Sequence, residues 1–232
     1  MAGRVNWGSR EVLLGALAGA LAVLAIWLAF SLQRALPGDQ PLAGGRRALL
    51  ISAGFEFFFV AVALWYVIVR RGGTFASLGF VRPRADHWVA WAVLAWLTGV
   101  GASFGWVQVV DQMGWEFLRP TDSARELLRH NVELWLAFVV VGVVAPFTEE
   151  IFFRGFAFSG FRRDLGLVAG VVISAVLFAL FHVEPTVFVP TFIFGIVLAW
   201  VYVKTGSIWP AMFAHALNNV VVLVVAASGV GA

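Results

Sequence analysis

Cysteine is absent from the 232-residue sequence, and charged side chains make up only 12% of it. The absence of cysteine excludes disulfides, thiolate metal sites and cysteine nucleophiles. Lysine is nearly absent too, because Lys204 alone accompanies 15 arginines. These cations are scattered instead of forming one basic patch. Nucleic-acid binding is therefore not expected, despite a net charge of +3.

Most of the other residues are apolar. Hydrophobic residues reach 61% with a mean hydropathy of +0.91, which is typical of a membrane protein. Seven apolar runs are long enough to cross a bilayer: 12–33, 48–69, 88–110, 134–153, 165–181, 185–203 and 205–228. There is no internal repeat or soluble segment. The sequence predicts an all-α polytopic transmembrane helix bundle of about seven spans, within a range of six to eight, as a single membrane domain over residues 1–232.

One segment between spans, residues 111–133, has its own pattern. Ser123 and Glu126 have the spacing of a capping box before LLRHNVELW, which is an amphipathic stretch. Such a stretch is expected to form an amphipathic helix that lies in the membrane interface.

The arginines lie mainly at predicted span ends, which allows an orientation to be predicted. A cytoplasmic N-terminus places nine cations on the inner side: Arg4, Arg10, Arg70, Arg71, Arg82, Arg84, Arg162, Arg163 and Lys204. Six fall on the outer side: Arg34, Arg46, Arg47, Arg119, Arg125 and Arg129. Because cytoplasmic loops carry an excess of Lys and Arg, this bias favours a multi-pass protein of the cell membrane with its N-terminus in the cytoplasm.

The stretch PFTEEIFFRGF, residues 146–156, places two glutamates and an arginine inside an apolar run. A carboxylate at the centre of a spanning helix costs about 2.5–3.5 kcal/mol, so the pair needs compensation. On a helix Glu150 and Arg154 share a face as i,i+4 neighbours, whereas Glu149 points about 100° away. Glu150 is therefore expected to form an ion pair, which leaves Glu149 as a candidate general base. The alternative is a buried ion-pair network that only fixes helix packing.

Two intramembrane histidines favour a catalytic role for the glutamates over a role in helix packing alone. FALFHVE places His182 at the end of the fifth span, and FAHALNN places His215 in the seventh, one helical turn before Asn219. A carboxylate, two imidazoles and a carboxamide are suited to hold and deprotonate a water and to stabilise an oxyanion. Glu56, in AGFEFFFVAV, is a further intramembrane acid that either lines a cavity or bonds to a neighbouring helix.

The motifs EEIFFR, FALFH and HALNN resemble, in order and type, the E-E-x-x-x-R, F-x-x-x-H and H-x-x-x-N motifs of the CPBP family of intramembrane peptidases. This family comprises CAAX proteases and bacteriocin-processing enzymes and includes the type II CAAX prenyl endopeptidases. The resemblance covers residues 134–222, which are expected to carry the catalytic motifs.

The resemblance implies hydrolysis of a peptide bond by a glutamate-activated water. Glu149 matches the family's water-activating glutamate, Glu150 and Arg154 match its supporting pair, and the water-holding and oxyanion-stabilising positions fall on His182, His215 and Asn219. Glu149, His182 and His215 also suit a zinc-type His₂Glu set. However, there is no H-E-x-x-H helix, so no obligatory metal is expected, and a divalent ion such as zinc remains the alternative. The implied partners are membrane lipids and a membrane-associated peptide or lipidated protein, either prenylated or of the bacteriocin type.

Two other functions stay open at this point. Glu and His chains within membranes also mark ion pathways, so an ion- or proton-coupled transporter is one alternative. A non-catalytic membrane scaffold of the same family is the other. If the protein is a peptidase, the fourth, fifth and seventh spans should meet around one polar cavity, which we expect to open towards the end that bears Arg162 and Arg163.

A depth estimate argues against such a meeting point. Counted at about 1.5 Å per residue from the charges at the inner ends of the spans, the depths are about 20 Å for Glu149, 27 Å for His182 and 16 Å for His215.

Overall fold

The computed structural model describes residues 5–35, 45–121, 123–129 and 132–229. Within these ranges the regular elements are helices and no strand occurs, which confirms the all-α fold class. The α-helices are α1 Ser9–Ala35, α2 Gly45–Leu64, α3 Trp88–Met113, α4 Ser123–Arg129, α5 Leu134–Ala137, α6 Ala145–Glu150, α7 Ser159–Leu165, α8 Leu167–Phe181, α9 Phe188–Thr205 and α10 Trp209–Ser228. Short 3₁₀ turns at Phe75–Leu78, Glu116–Leu118 and Pro185–Val187 lie between them.

The helices α5, α6 and α7 are parts of one continuous helix, Leu134–Leu165, because π-helical segments connect them. These segments are Phe138–Val144 and Ile151–Phe158, and a third, Trp65–Arg70, extends α2. Pro146 follows the first of them closely and has no amide N–H for the α-helical hydrogen bond, which favours a local change of helical pitch. Such π segments are frequent at functional sites, and α6, which carries both glutamates, lies between two of them.

The predicted number of spans, about seven, is confirmed. Among the described residues, six helical stretches are long and apolar enough to cross a membrane: Ser9–Ala29, Leu49–Arg70, Trp88–Met113, Leu134–Leu165, Pro185–Thr205 and Trp209–Ser228. The helix α8 is apolar but shorter, with 15 residues. Near its start Gly170 packs against the backbone of Arg162, whereas Glu184, just beyond its end, binds Thr121 and Ser123. It therefore connects the same two ends of the bundle as the longer helices.

One end of the bundle, here called the basic end, collects the cations that the sequence assigned to the inner side. Arg71 forms an ion pair with Glu11, the backbone N–H of Ser9 donates to Asp164 at 2.7 Å, and the backbone N–H of Arg84 donates to the Thr205 carbonyl at 2.8 Å. The side chains of Arg4, Arg34 and Arg47 lie outside the described set. These contacts support the predicted grouping of the charges, and which end faces the cytoplasm stays a prediction.

Close helix packing holds the long helix in the centre of the fold. Every residue from Ile151 to Phe161 is buried. A Cβ atom at Gly15 would come within 2.9 Å of Val62 and 3.0 Å of Phe156, so only glycine lets α1 approach α2 and the long helix this closely. The side chains of Glu150 and Arg154 are therefore anchored in a rigid, dry part of the bundle.

A helix is present in this segment as α4, with seven residues, and its position in the membrane interface stays a prediction. It begins at Ser123, and Ala124, Leu127 and Leu128 pack against a core cluster that includes Leu223 of α10. The Ser123 hydroxyl donates to Glu184 Oε2 at 3.1 Å, which ties the start of α4 to the loop after His182. Residues 130 and 131, in the middle of the predicted amphipathic stretch, lie outside the described residues.

Candidate active site

Glu150 and Arg154 form the predicted ion pair. Arg154 Nη1 lies 2.9 Å from Glu150 Oε1, and the two side chains are 1% and 0% exposed. Arg154 also donates to the Gly195 carbonyl at 3.4 Å, and its guanidinium carbon lies 4.2 Å from the centre of the Phe178 ring. The arginine charge is thus balanced by one carboxylate and one aromatic face.

His215 is oriented by the same carboxylate oxygen. Its Nδ1 lies 2.9 Å from Glu150 Oε1, and its side chain is 3% exposed. Because Glu150 Oε1 also accepts a hydrogen bond from Arg154, the hydrogen of the imidazole is assigned to Nδ1. Nε2 of His215 is therefore available for other contacts. A carboxylate orients catalytic and metal-binding histidines in the same way in other proteins.

Glu149 is the glutamate without an ion-pair partner of its own. Its side chain is 14% exposed, and Oε2 lies 3.9 Å from His215 Nε2. That separation is too long for a direct hydrogen bond, and Oε2 has no hydrogen-bond partner although it is buried. A distance of this size suits two groups that share a bridging water. The predicted difference between the two glutamates is therefore present in the structure.

His182 follows the last residue of α8 and reaches the site through Phe178. Its Nδ1 lies 2.9 Å from the Phe178 carbonyl, and because a carbonyl only accepts, the hydrogen must sit on Nδ1 and Nε2 is left available. The Phe178 ring centre is 4.6 Å from that of His182 and 5.6 Å from that of His215, which places the two imidazoles within about 10 Å of each other. The next residue, Val183, has a φ of 57°, a strained conformation for a β-branched residue of the kind that clusters at functional sites.

Asn219 lies on α10 one turn after His215. Its Nδ2 donates to the carbonyl of Val141, in the first π segment of the long helix, at 2.9 Å. An amide nitrogen carries two hydrogens, so one N–H remains for another acceptor. The contact also fixes the position of the amide group.

A cavity of about 540 Å³ brings four of the predicted residues together: Glu149, His182, His215 and Asn219 all line it. Glu150 and Arg154 do not line it, but Glu150 contacts His215, which does. The cavity extends to Thr121, Ser123 and Glu184, at the end opposite Arg162 and Arg163. The expected opening towards the Arg162 end is therefore wrong, because α4 and the loop after His182, not the basic loops, surround the polar space.

A second cavity, of about 460 Å³, meets the first at Glu149 and His182. Its remaining wall is mostly apolar and comes from α1, α2 and the end of α8: Val23, Ile26, Trp27, Ile51, Phe55, Phe59, Phe153 and Phe181. Glu56 lines both cavities and accepts a hydrogen bond from Thr148 Oγ1 at 2.7 Å. Both alternatives for Glu56, lining a cavity and bonding to a neighbouring helix, are thus realised.

Two residues with contacts at the site were not identified as site residues from the sequence. Thr148 binds Glu56, and Phe178 contacts Arg154, His182 and His215 at once. Phe178 is the first residue of the F-x-x-x-H motif, so the motif could have identified it. Nothing in the local sequence distinguishes Thr148, because its partner is 92 residues away.

The metal alternative concerns the side chains of Glu149, His182 and His215. Among the described residues, no three His, Asp or Glu side chains converge as the ligands of one ion. His215 directs Nδ1 at Glu150, and His182 directs Nδ1 at a backbone carbonyl. Both histidines thus keep Nε2 available, and whether a divalent ion binds at Glu149, His182 and His215 stays a prediction.

Comparisons with known proteins agree with the motifs. Residues 131–221 match the family model described as "Type II CAAX prenyl endopeptidase Rce1-like". A curated protein of Bacillus subtilis (strain 168), "Putative membrane peptidase YdiL", is 26% identical over 106 residues, which is 46% of this chain and 43% of the relative. The match thus spans less than half of that relative. No solved structure matches the chain.

The family match, together with the apolar helices, supports a multi-pass membrane protein. All three motifs on which the resemblance rests lie inside the matched segment. Residues 131–221 are therefore similar to the Rce1-like family, and this similarity supports a CPBP family intramembrane peptidase.

Proposed function

We propose that the protein is an intramembrane endopeptidase that hydrolyses a peptide bond of a membrane-associated substrate with a water activated by Glu149. The observation that carries this proposal is the buried, partner-free Oε2 of Glu149, 3.9 Å from the available Nε2 of His215, on the wall of a polar cavity. A base needs hydrogen-bond reach to the proton that it removes, directly or through one water.

In this mechanism Glu149 takes a proton from the water while the water oxygen attacks the substrate carbonyl. His215 Nε2 orients the water, and Glu150 keeps His215 in the required tautomer. As the carbonyl oxygen becomes an oxyanion, the free N–H of Asn219 is the donor on the cavity wall that is suited to stabilise it, whereas His182 Nε2 carries no hydrogen and is available as an acceptor. Such preorganised donors contribute about 2.7–4 kcal/mol each in other hydrolases.

The two joined cavities support a substrate with a peptide part and an apolar part. The first cavity would take the peptide, and the mostly apolar second cavity would take an apolar part of the same molecule next to the base. We therefore propose a membrane-associated substrate, either prenylated or of the bacteriocin type, with membrane lipids around the helices.

The test is proteolysis by purified protein of a library of membrane-tethered peptides, prenylated and unprenylated, read by mass spectrometry. Glu149→Gln keeps the shape but removes proton acceptance, so cleavage should fall by about 100-fold or more. A parallel sample treated with a chelator and then with added zinc tests the metal alternative. Cleavage by Glu149→Gln near the wild-type rate would contradict the assignment of the base, and a folded wild type that binds but never cleaves would indicate a scaffold.

A further inference from the structure

Glu56 is a carboxyl group of the site that none of the three motifs contains. It lies on α2, is 8% exposed, and lines both cavities together with Glu149 and His182. Thr148, which donates to Glu56 Oε2 at 2.7 Å, directly precedes Glu149 in the chain. The hydrogen bond thus ties α2 to the short segment α6 that carries the proposed base.

No lysine or arginine of the described residues forms an ion pair with Glu56. The buried cation nearby, Arg154, is bound to Glu150. The other titratable groups on the walls of the two cavities are Glu149, Glu184, His182 and His215. Glu149 has no cation of its own either, and two ionised carboxylates in one apolar site are very costly. Because like charges interact strongly where water is scarce, we expect the two carboxyl groups to hold one proton between them. Glu149, with Oε2 at 3.9 Å from His215 Nε2, takes the role of the base, which leaves the proton on Glu56.

Two carboxyl groups in one site, one ionised and one protonated, form the usual pair of base and acid in hydrolases. We propose that Glu56 is the general acid that protonates the leaving nitrogen while Glu149 is the base. This proposal rests on the proposed peptidase function and adds a second catalytic carboxyl group to it.

The proton and bond changes balance as follows. The water oxygen bonds to the substrate carbonyl carbon, and a water proton moves to Glu149. When the C–N bond breaks, the nitrogen takes the Glu56 proton and leaves as an amine. The proton on Glu149 then returns to Glu56 through water in the cavity. One water and one amide bond give one carboxylic acid and one amine.

The contact with Thr148 restrains the position of the Glu56 carboxyl group. Thr148 Oγ1 lies 2.7 Å from Glu56 Oε2 and 2.9 Å from the carbonyls of Val144 and Ala145, and its single hydrogen serves one of these acceptors at a time. When that hydrogen goes to Oε2, the acidic proton of Glu56 sits on Oε1, and when it goes to a carbonyl, Glu56 can donate to Thr148. Thr148 is in this sense a positioning residue for Glu56.

The experiment compares a peptide substrate with a matched ester in which an oxygen replaces the scissile N–H. An alkoxide leaves with less proton assistance than an amine, so the ester is less sensitive to loss of a general acid. Glu56→Gln should lower kcat for the amide by about 100-fold and for the ester by less than about 5-fold. Glu149→Gln should lower both, because both reactions need the activated water.

Thr148→Val is the matched control, because it removes the hydrogen bond without removing the carboxyl group. If Glu56 only holds α6 in place, Thr148→Val and Glu56→Gln will lower amide and ester hydrolysis equally, which overturns the proposal. Amide cleavage by Glu56→Gln near the wild-type rate overturns it as well. If Glu56→Gln does not fold, Glu56→Asp replaces it and should lower the amide-to-ester ratio of rates, whereas an unchanged ratio overturns the proposal. An active Glu149→Gln would instead overturn the peptidase mechanism itself, so the two failures are distinguishable.

Discussion

Neutralising Glu150 should destabilise the protein, whereas the same change one residue earlier should not. In Glu150→Gln the charge of Arg154, which is 1% exposed, remains buried without its carboxylate. In Glu149→Gln no ion pair is lost, because no cation of the described residues binds Glu149 as Arg154 binds Glu150. The two variants therefore form a matched pair, with the same substitution in the same helical segment.

The size of the effect follows from the contacts of the Glu150 carboxyl group. One oxygen, Oε1, accepts from both Arg154 and His215 at 2.9 Å, while Oε2 is buried without a partner. A glutamine oxygen can replace Oε1, but its NH₂ then takes the place of Oε2, where no acceptor lies. Removal of one partner of a buried ion pair costs about 3–5 kcal/mol. The Gly195 and Phe178 contacts of Arg154 exist in both proteins and do not compensate for the loss.

Thermal unfolding in detergent, followed by tryptophan fluorescence, measures the difference. At about 2–4 °C per kcal/mol for a chain of this length, Glu150→Gln should unfold about 6–20 °C below wild type. Glu149→Gln should unfold at or slightly above the wild-type temperature, because burial of an amide is less costly than burial of a carboxylate. Equal unfolding temperatures for the two variants would refute the assignment of the ion pair to Glu150.

A double variant tests the physical cause. If the loss arises from an uncompensated charge on Arg154, then Glu150→Gln combined with Arg154→Met should recover part of the stability, because the charge is gone. Activity should not return, since His215 still lacks a charged acceptor. A double variant that is less stable than Glu150→Gln alone would show that Arg154 stabilises the fold through Gly195 and Phe178 instead.

Two further predictions concern Phe178 and Glu184. Phe178→Leu should lower activity by about 10-fold or more and lower the free energy of unfolding by about 1–3 kcal/mol. Phe156 is equally buried but lies away from the histidines, so Phe156→Leu should show only the loss of stability in the same assays. Burial raises the pKa of the Glu184 carboxyl, but hydrogen bonds from Thr121, Thr186 and Ser123 outweigh it and hold the pKa below its ordinary value. The contact between α4 and this loop should therefore be intact above pH 4.5 and weaken as the pH falls through the lowered pKa. The rate at which an acid-compatible pyridyl disulfide labels Ala124→Cys should rise over that range. In Glu184→Gln that labelling should not change over the same acidic range.

The helices were predictable because each apolar run is long and uninterrupted, and a span needs only local sequence. The ion pair of Glu150 with Arg154 was predictable for the same reason, since helical spacing alone brings i and i+4 together. The contact of Glu56 with Thr148 was not, because it depends on how α2 packs against α6, across 92 residues of sequence. Local patterns thus identified which residues are chemically unusual, while packing decides which of them meet.

The depth estimate misled because it placed side chains at the level of their own Cα atoms. Helical side chains lean towards the N-terminus of their helix. The long helix Leu134–Leu165 and α8 run in opposite directions, so Glu149 and His182 lean towards each other. His182 also folds back by about one turn, as its contact with the Phe178 carbonyl shows. These two effects bring groups with estimated depths of about 20 and 27 Å to one cavity wall.

The direction of the polar cavity and the positive-inside rule together predict the side of the membrane on which the cavity opens. The basic end carries Arg10, Arg70, Arg71, Arg82, Arg84, Arg162, Arg163 and Lys204, so the rule places it in the cytoplasm. The cavity extends to Thr121, Ser123 and Glu184 at the other end, so its polar mouth should face away from the cytoplasm. In intact cells, a membrane-impermeant thiol reagent should therefore label Ala124→Cys, and it should label Ala76→Cys, in the loop before α3, only after the cells are opened. The chain has no native cysteine to give background. Labelling of Ala76→Cys alone in intact cells would reverse the orientation and place peptide entry on the cytoplasmic side.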